Sequence, residues 1–179
     1  MRASSLSKYR DLKELVDQIP DLVNMIRDKN KAFIHSFEKW LIKTEGLLKK
    51  YNYSECSEIA GLRSRIYVVE FEEEKRLTRK KKQMQVGSEM IYTAQNIIFI
   101  LVQNLEEKVN EATETAVELI QIAKENGIIK NETTIDFNSY ITSLWQYFNE
   151  HEQLKSYAKR INSLVGRTDA LRLMAENVH

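Results

Sequence analysis

One proline, five glycines and one cysteine are all that 179 residues hold of the types that punctuate or staple a fold. Proline and glycine make the corners of sheets and tight turns, so a protein of many short strands would lack its turns here. Cys56 has no second cysteine with which to close an intramolecular disulfide. No CxxC or Cys/His cluster offers the donors that structural zinc takes. Long hydrophobic runs are missing too. The most apolar stretch, Ile97 to Val102, lies between Asn96 and Gln103 and is far shorter than the roughly 20 residues of a membrane-spanning helix. Its expected place is a buried helical segment. The first residues lead into charged sequence without the apolar core of a secretory signal, which makes the cytoplasm the expected location.

Motifs of chemistry are equally sparse. Phosphate cradles need glycine-rich loops at helix starts, and the five glycines are scattered. There is no Gly-x-Ser-x-Gly, and Cys56 has no histidine nearby in sequence to activate it. Di-iron bundles use Glu-x-x-His pairs from two helices, whereas only Glu176 and His179 have that spacing. No cofactor or metal is therefore expected. His35 falls opposite the apolar stripe of its helix and should face water. His151, between Glu150 and Glu152, falls at the edge of an apolar face, where a core-edge histidine is the plain reading. A small-ligand or enzymatic site near His151 is the remaining chemical alternative.

What the chain does hold is helical periodicity. Leu6, Tyr9, Leu12, Leu15, Val16 and Ile19 recur at steps of three and four, giving a short first helix. From Pro20, apolar residues continue through Val23, Ile26, Phe33, Phe37, Leu41 and Leu48, a pattern that predicts one helix to about Lys50. Tyr51-Asn52-Tyr53 reads as a break. A third helix then begins near Ser54 on Ile59, Leu62, Ile66 and Val69, and runs into a charged stretch ending near Gln83. Gly87-Ser88 reads as the next break, with Ser88 capping a fourth helix on Ile91, Ala94, Ile98, Leu101, Leu105, Val109, Ala112, Ala116, Leu119 and Ala123. Gly127 ends it. Thr133 or Thr134 with Asp136 opens a fifth helix, continuous through Phe137, Ile141, Leu144, Phe148, Leu154, Ala158, Ile161 and Val165. Trp145 and Tyr147 flank its stripe on opposite sides, so one of them is a candidate interface anchor. After Gly166, a tail helix ends near Asn177.

Long stripes joined by short loops cover one another only by antiparallel packing. The expected fold is all-α: a single domain over residues 1–179, an elongated up-and-down bundle of four long antiparallel helices with a short helix at either end.

Charge is the feature with functional content. Lys75, Arg76, Arg79, Lys80, Lys81 and Lys82 follow directly on the acids Glu70 and Glu72 to Glu74. Residues 1–86 carry 19 Lys and Arg against 13 Asp and Glu, while residues 87–179 carry 8 against 13, so a net charge of +1 conceals a polarised chain. A third-to-fourth helix hairpin about Gly87 would set apolar Ile98 and Ala94 beside Arg76 and Lys80, and something else would have to cover them. The resulting expectation is a non-enzymatic interaction or assembly protein, an adaptor or regulatory subunit with a protein partner or a second copy of itself. The alternative is a nucleic-acid-associated protein whose six basic residues neutralise phosphates. That patch lacks interleaved aromatics.

Overall fold

The computed structural model describes residues 4–70, 76–129 and 136–178; the side chains at 69–70 and 76–80 are not among those described. Among the described residues there are eight α-helices and no strand. They are α1 (Ser5–Asp17), α2 (Ile19–Arg27), α3 (Phe33–Lys50), α4 (Cys56–Glu70), α5 (Arg76–Glu125), α6 (Phe137–Glu150), α7 (Lys155–Val165) and α8 (Arg167–Asn177). No helix among the described residues is long and apolar enough to cross a membrane. The chain divides into two compact units, one of Tyr9–Gln103 and one of Met1–Lys8 with Asn104–His179.

In the Tyr9–Gln103 unit, the stripe from Pro20 to Lys50 is two helices rather than one. Lys29 takes a left-handed φ of 50°, its N–H donating to Ile26 O and that of Asn30 to Met25 O, the paired bonds that close a helix end. Asn30 Oδ1 then accepts the Ala32 N–H at 2.9 Å before α3 begins. Apolar spacing carried across this turn unbroken, so periodicity alone concealed it. Asn52, at φ 57°, closes α3 in the same way, as its turn chemistry predicts.

Helices α3 and α4 run antiparallel: Glu45 accepts from Arg63 at 2.9 Å, and Glu38, earlier in α3, accepts from the later Tyr67 hydroxyl. Helix α1 also lies antiparallel to α3, with Glu14 against Lys43 and Asp11 against Lys50. The Trp40 indole N–H caps the Leu15 carbonyl at 3.0 Å. Phe33, Phe37, Leu41, Leu48, Ile59, Ile91 and Ile98 fill the core of this unit, and Phe33 stacks on Phe37 with centroids 5.6 Å apart.

Gly87 and Ser88 do not break the chain. Helix α5 runs through both, so no hairpin forms about Gly87 and the side-by-side placement of Arg76 with Ile98 disappears. A Cβ at Gly87 would lie 2.9 Å from both Phe33 Cε1 and Ile34 Cδ1; the glycine is there to let α5 approach α3. Nor is Ile97 to Val102 wholly buried. Ile98, Leu101 and Val102 are, but Phe99 and Ile100 are about half exposed, because a six-residue apolar run covers every side of a helix and only one side meets the core.

In the other unit, the Asn104–Glu125 part of α5 meets α7 antiparallel, with Glu111 accepting from Arg160 at 2.9 Å and Glu118 from Tyr157 at 3.1 Å. Gly127, at φ 66°, terminates α5 as its position predicts. Thr133 and Thr134 lie outside the described residues; Asp136 caps α6, accepting the Ser139 N–H at 3.1 Å. The stripe of residues 136–165 is broken at His151, whose extended backbone (ψ 126°) ends α6 before α7 starts at Lys155. In place of the expected second and fifth long helices stand α2 with α3 and α6 with α7, while α5 is one very long helix.

Candidate functional site

Lys75 lies outside the described residues, and Arg76, Arg79 and Lys80 belong to the first turns of α5, their side chains likewise outside the description. Lys81 and Lys82 come next on α5, the first exposed and the second half-buried. Lys81 borders an open groove of about 820 Å³.

Three helices and one connection contribute its described lining. Ile26 projects from the last turn of α2, and the α2–α3 connection contributes Lys29 and Lys31. Ile34 and His35 come from the first turn of α3. The α5 wall carries Lys81, Gln83, Met84, Gln85 and Ser88. Beside the groove, α5 approaches α3 closely at Gly87, where a side chain would meet Phe33 and Ile34.

Among the described lining residues, three ammonium groups and an imidazole therefore surround a base of Ile26, Ile34 and Met84, and none of these residues is a carboxylate. Lys29, Lys31, His35 and Lys81 are all exposed, and the neighbouring Asp28 carboxylate pairs with Arg27 at 3.3 Å. Like charges gathered on an apolar surface repel one another in the free protein and are relieved by an anionic partner. Methionine adds a flexible, polarisable contact that adapts to differing side chains.

Lys29 and Lys31 were not candidates in the sequence because they fall within the apolar stripe read as one helix. The signal that marks them is Asp28-Lys29-Asn30, a turn composition inside a helical pattern. His35 does face water. It joins the groove because the chain turns immediately before α3.

The second chemical candidate resolves differently. His151 packs against the Tyr147 ring at 5.3 Å, and its Nδ1 is buried without a hydrogen-bond partner among the described residues. Glu150 beside it accepts from Gln146 at 3.0 Å. Among the described residues no group of three or more His, Cys, Asp or Glu side chains is arranged to hold a metal ion. Trp145 is buried and Tyr147 exposed, so of the two flanking aromatics Tyr147 is the one a partner can reach. Compared with protein-family models, curated proteins and solved structures, the chain matches none of them.

Proposed function

We propose that this chain is a non-enzymatic interaction protein that docks an acidic partner protein in the groove between the α2–α3 connection and α5. The observation that carries the reading is the groove lining: Lys29, Lys31, His35 and Lys81 over Ile26, Ile34 and Met84, with no acid among the described lining residues. Charge gives such a surface its sign preference and its association rate, while the apolar base supplies the area whose burial holds a partner. A cavity of about 820 Å³ is of the size that takes side chains of a docked segment. In sequence, Arg76, Arg79 and Lys80 directly precede Lys81 on the same helix.

The test is fluorescence anisotropy with a labelled polyglutamate peptide. The unaltered chain is expected to bind it, and the triple variant Lys29→Glu, Lys31→Glu, Lys81→Glu to lose affinity at least tenfold with its circular dichroism unchanged. All three positions are exposed, so the fold tolerates the exchange. Equal affinity in the two proteins overturns the reading.

A further inference from the structure

Lys81 shares its face of α5 with two exposed aromatic rings. At 100° per residue, Lys81, Gln85, Ser88 and Phe99 project within about 40° of Tyr92, and all lie in the Tyr9–Gln103 unit. Tyr92 is 64% exposed and Phe99 50% exposed, unusual for large apolar side chains on one helix face. With Gln95 and Asn96 they border a second open cavity, of about 220 Å³. The basic groove's α5 wall ends at Ser88, and this aromatic recess begins one turn later. From Lys81 to Phe99 the surface runs about 27 Å at 1.5 Å per residue.

The two ends differ in charge. Residues 88–103 contain one ionisable side chain that is charged at neutral pH, and it is an acid, Glu89. A single-stranded nucleic acid stacking on the rings needs cations alongside to meet its phosphates. That stretch of α5 supplies none. Apolar side chains of a protein need no such partner, and the Gln95 and Asn96 amides beside the rings serve polar groups at the edge of the contact.

Resting on the acidic-partner reading above, we infer that this surface receives an amphipathic helix of the partner, about five turns long. Its carboxylates lie over Lys29, Lys31 and Lys81 at one end. Its bulky apolar residues enter the recess between Tyr92 and Phe99 at the other. A helix suits the surface because the anchors repeat along α5 at three- and four-residue steps, and because the described residues form no sheet edge on which an extended segment could add a strand.

The experiment uses the full chain and two fluorescein-labelled 20-residue peptides, each with a glutamate block and a block carrying leucines at i, i+4 and i+7, in the two possible orders. A scrambled peptide of the same composition and a 20-nucleotide oligo-dT serve as comparisons. One ordered peptide is expected to bind at least tenfold tighter than the scrambled one. That advantage should be lost in Tyr92→Ala/Phe99→Ala, and binding of every acidic peptide should weaken tenfold or more in Lys29→Gln/Lys31→Gln/Lys81→Gln. Circular dichroism verifies that both variants fold. If the lysine variant weakens binding but the aromatic variant binds as the unaltered chain does, the helix inference falls and the acidic-partner reading stands. If the lysine variant changes nothing, both fall. Tighter binding of oligo-dT than of either peptide, lost in the aromatic variant, overturns the inference in favour of nucleic acid. A concentration-dependent dimer in sedimentation velocity that the aromatic variant abolishes overturns it in favour of a second copy of the chain.

Discussion

Asp11 sits where α1 meets the end of α3, accepting a hydrogen bond from the Tyr51 hydroxyl at 2.5 Å and from the Lys50 ammonium at 3.1 Å. The Tyr51 bond first, and Lys50 after it, hold the Asp11 carboxyl below the usual carboxylate range, while burial and then Asp11 push the Tyr51 phenol up. A carboxyl whose folded pKa is depressed contributes stability that is present at neutral pH and lost as pH falls through that depressed value. Asp11→Asn is expected to cost about 1 kcal/mol at pH 7, a charged hydrogen bond discounted for partial exposure. In urea titrations, the difference from the unaltered chain should shrink as the pH is taken below the carboxylate range, and a constant difference would contradict the assignment. Asp169 works through geometry instead: only 2% exposed, it accepts from Ser4 Oγ at 2.5 Å and from the Leu6 N–H at 3.2 Å, holding the start of α1. Ser4 Oγ itself accepts the Ser7 N–H at 3.0 Å. Asp169→Ala removes two part-buried hydrogen bonds and is expected to destabilise by about 2 kcal/mol in the same titrations. Lys29 is the residue at which stability and binding pull apart. Its left-handed backbone is strained for a side chain, so Lys29→Gly should raise stability by about 0.5 to 1 kcal/mol while weakening affinity for polyglutamate. Gain of stability with unchanged binding would remove Lys29 from the docking surface.

Helix interiors show how far periodicity reaches. Gly46 and Gly87 both lie inside helices, and the sequence distinguishes them only weakly. A Cβ at Gly46 meets nothing within 4 Å, so Gly46→Ala is expected to stabilise by about 1 kcal/mol, raising Tm by roughly 2 to 4 °C. At Gly87 the same propensity gain is opposed by contact with the fully buried Phe33 ring, which has nowhere to move, and overpacking costs about 1 to 3 kcal/mol. Gly87→Ala should therefore lower Tm. A rise in both variants would mean that α5 can shift away from α3 at little cost. The breaks that periodicity missed share one cause. Lys29 and His151 end helices through backbone angles that neither side chain announces, whereas Asn52 and Gly127 announce theirs.

Taken over the whole chain, the surplus of Lys and Arg in residues 1–86 and of acids in residues 87–179 gives any docking reaction an ionic-strength dependence. Affinity for polyglutamate is expected to fall about tenfold between 50 and 200 mM salt, and most of that fall should vanish in the triple Lys→Glu variant. The all-helical class was legible because scarce glycine and proline together with three-and-four spacing admit little else, and those are properties of neighbours along the chain. Most core positions were legible for the same reason: Ile91, Ile98, Leu119, Phe148 and Ile161 are all buried as their stripes require. The basic segment was legible as charge, and of its two described side chains, Lys81 and Lys82, Lys81 borders the groove. Lys29, Lys31 and His35, which complete it, lie some fifty residues away in sequence. Local order along a chain is written in its spacing, but which distant side chains share a surface depends on how helices approach one another. Here that approach turns on a glycine, whose missing side chain lets α5 close upon α3 and brings two separate stretches of positive charge to a common groove.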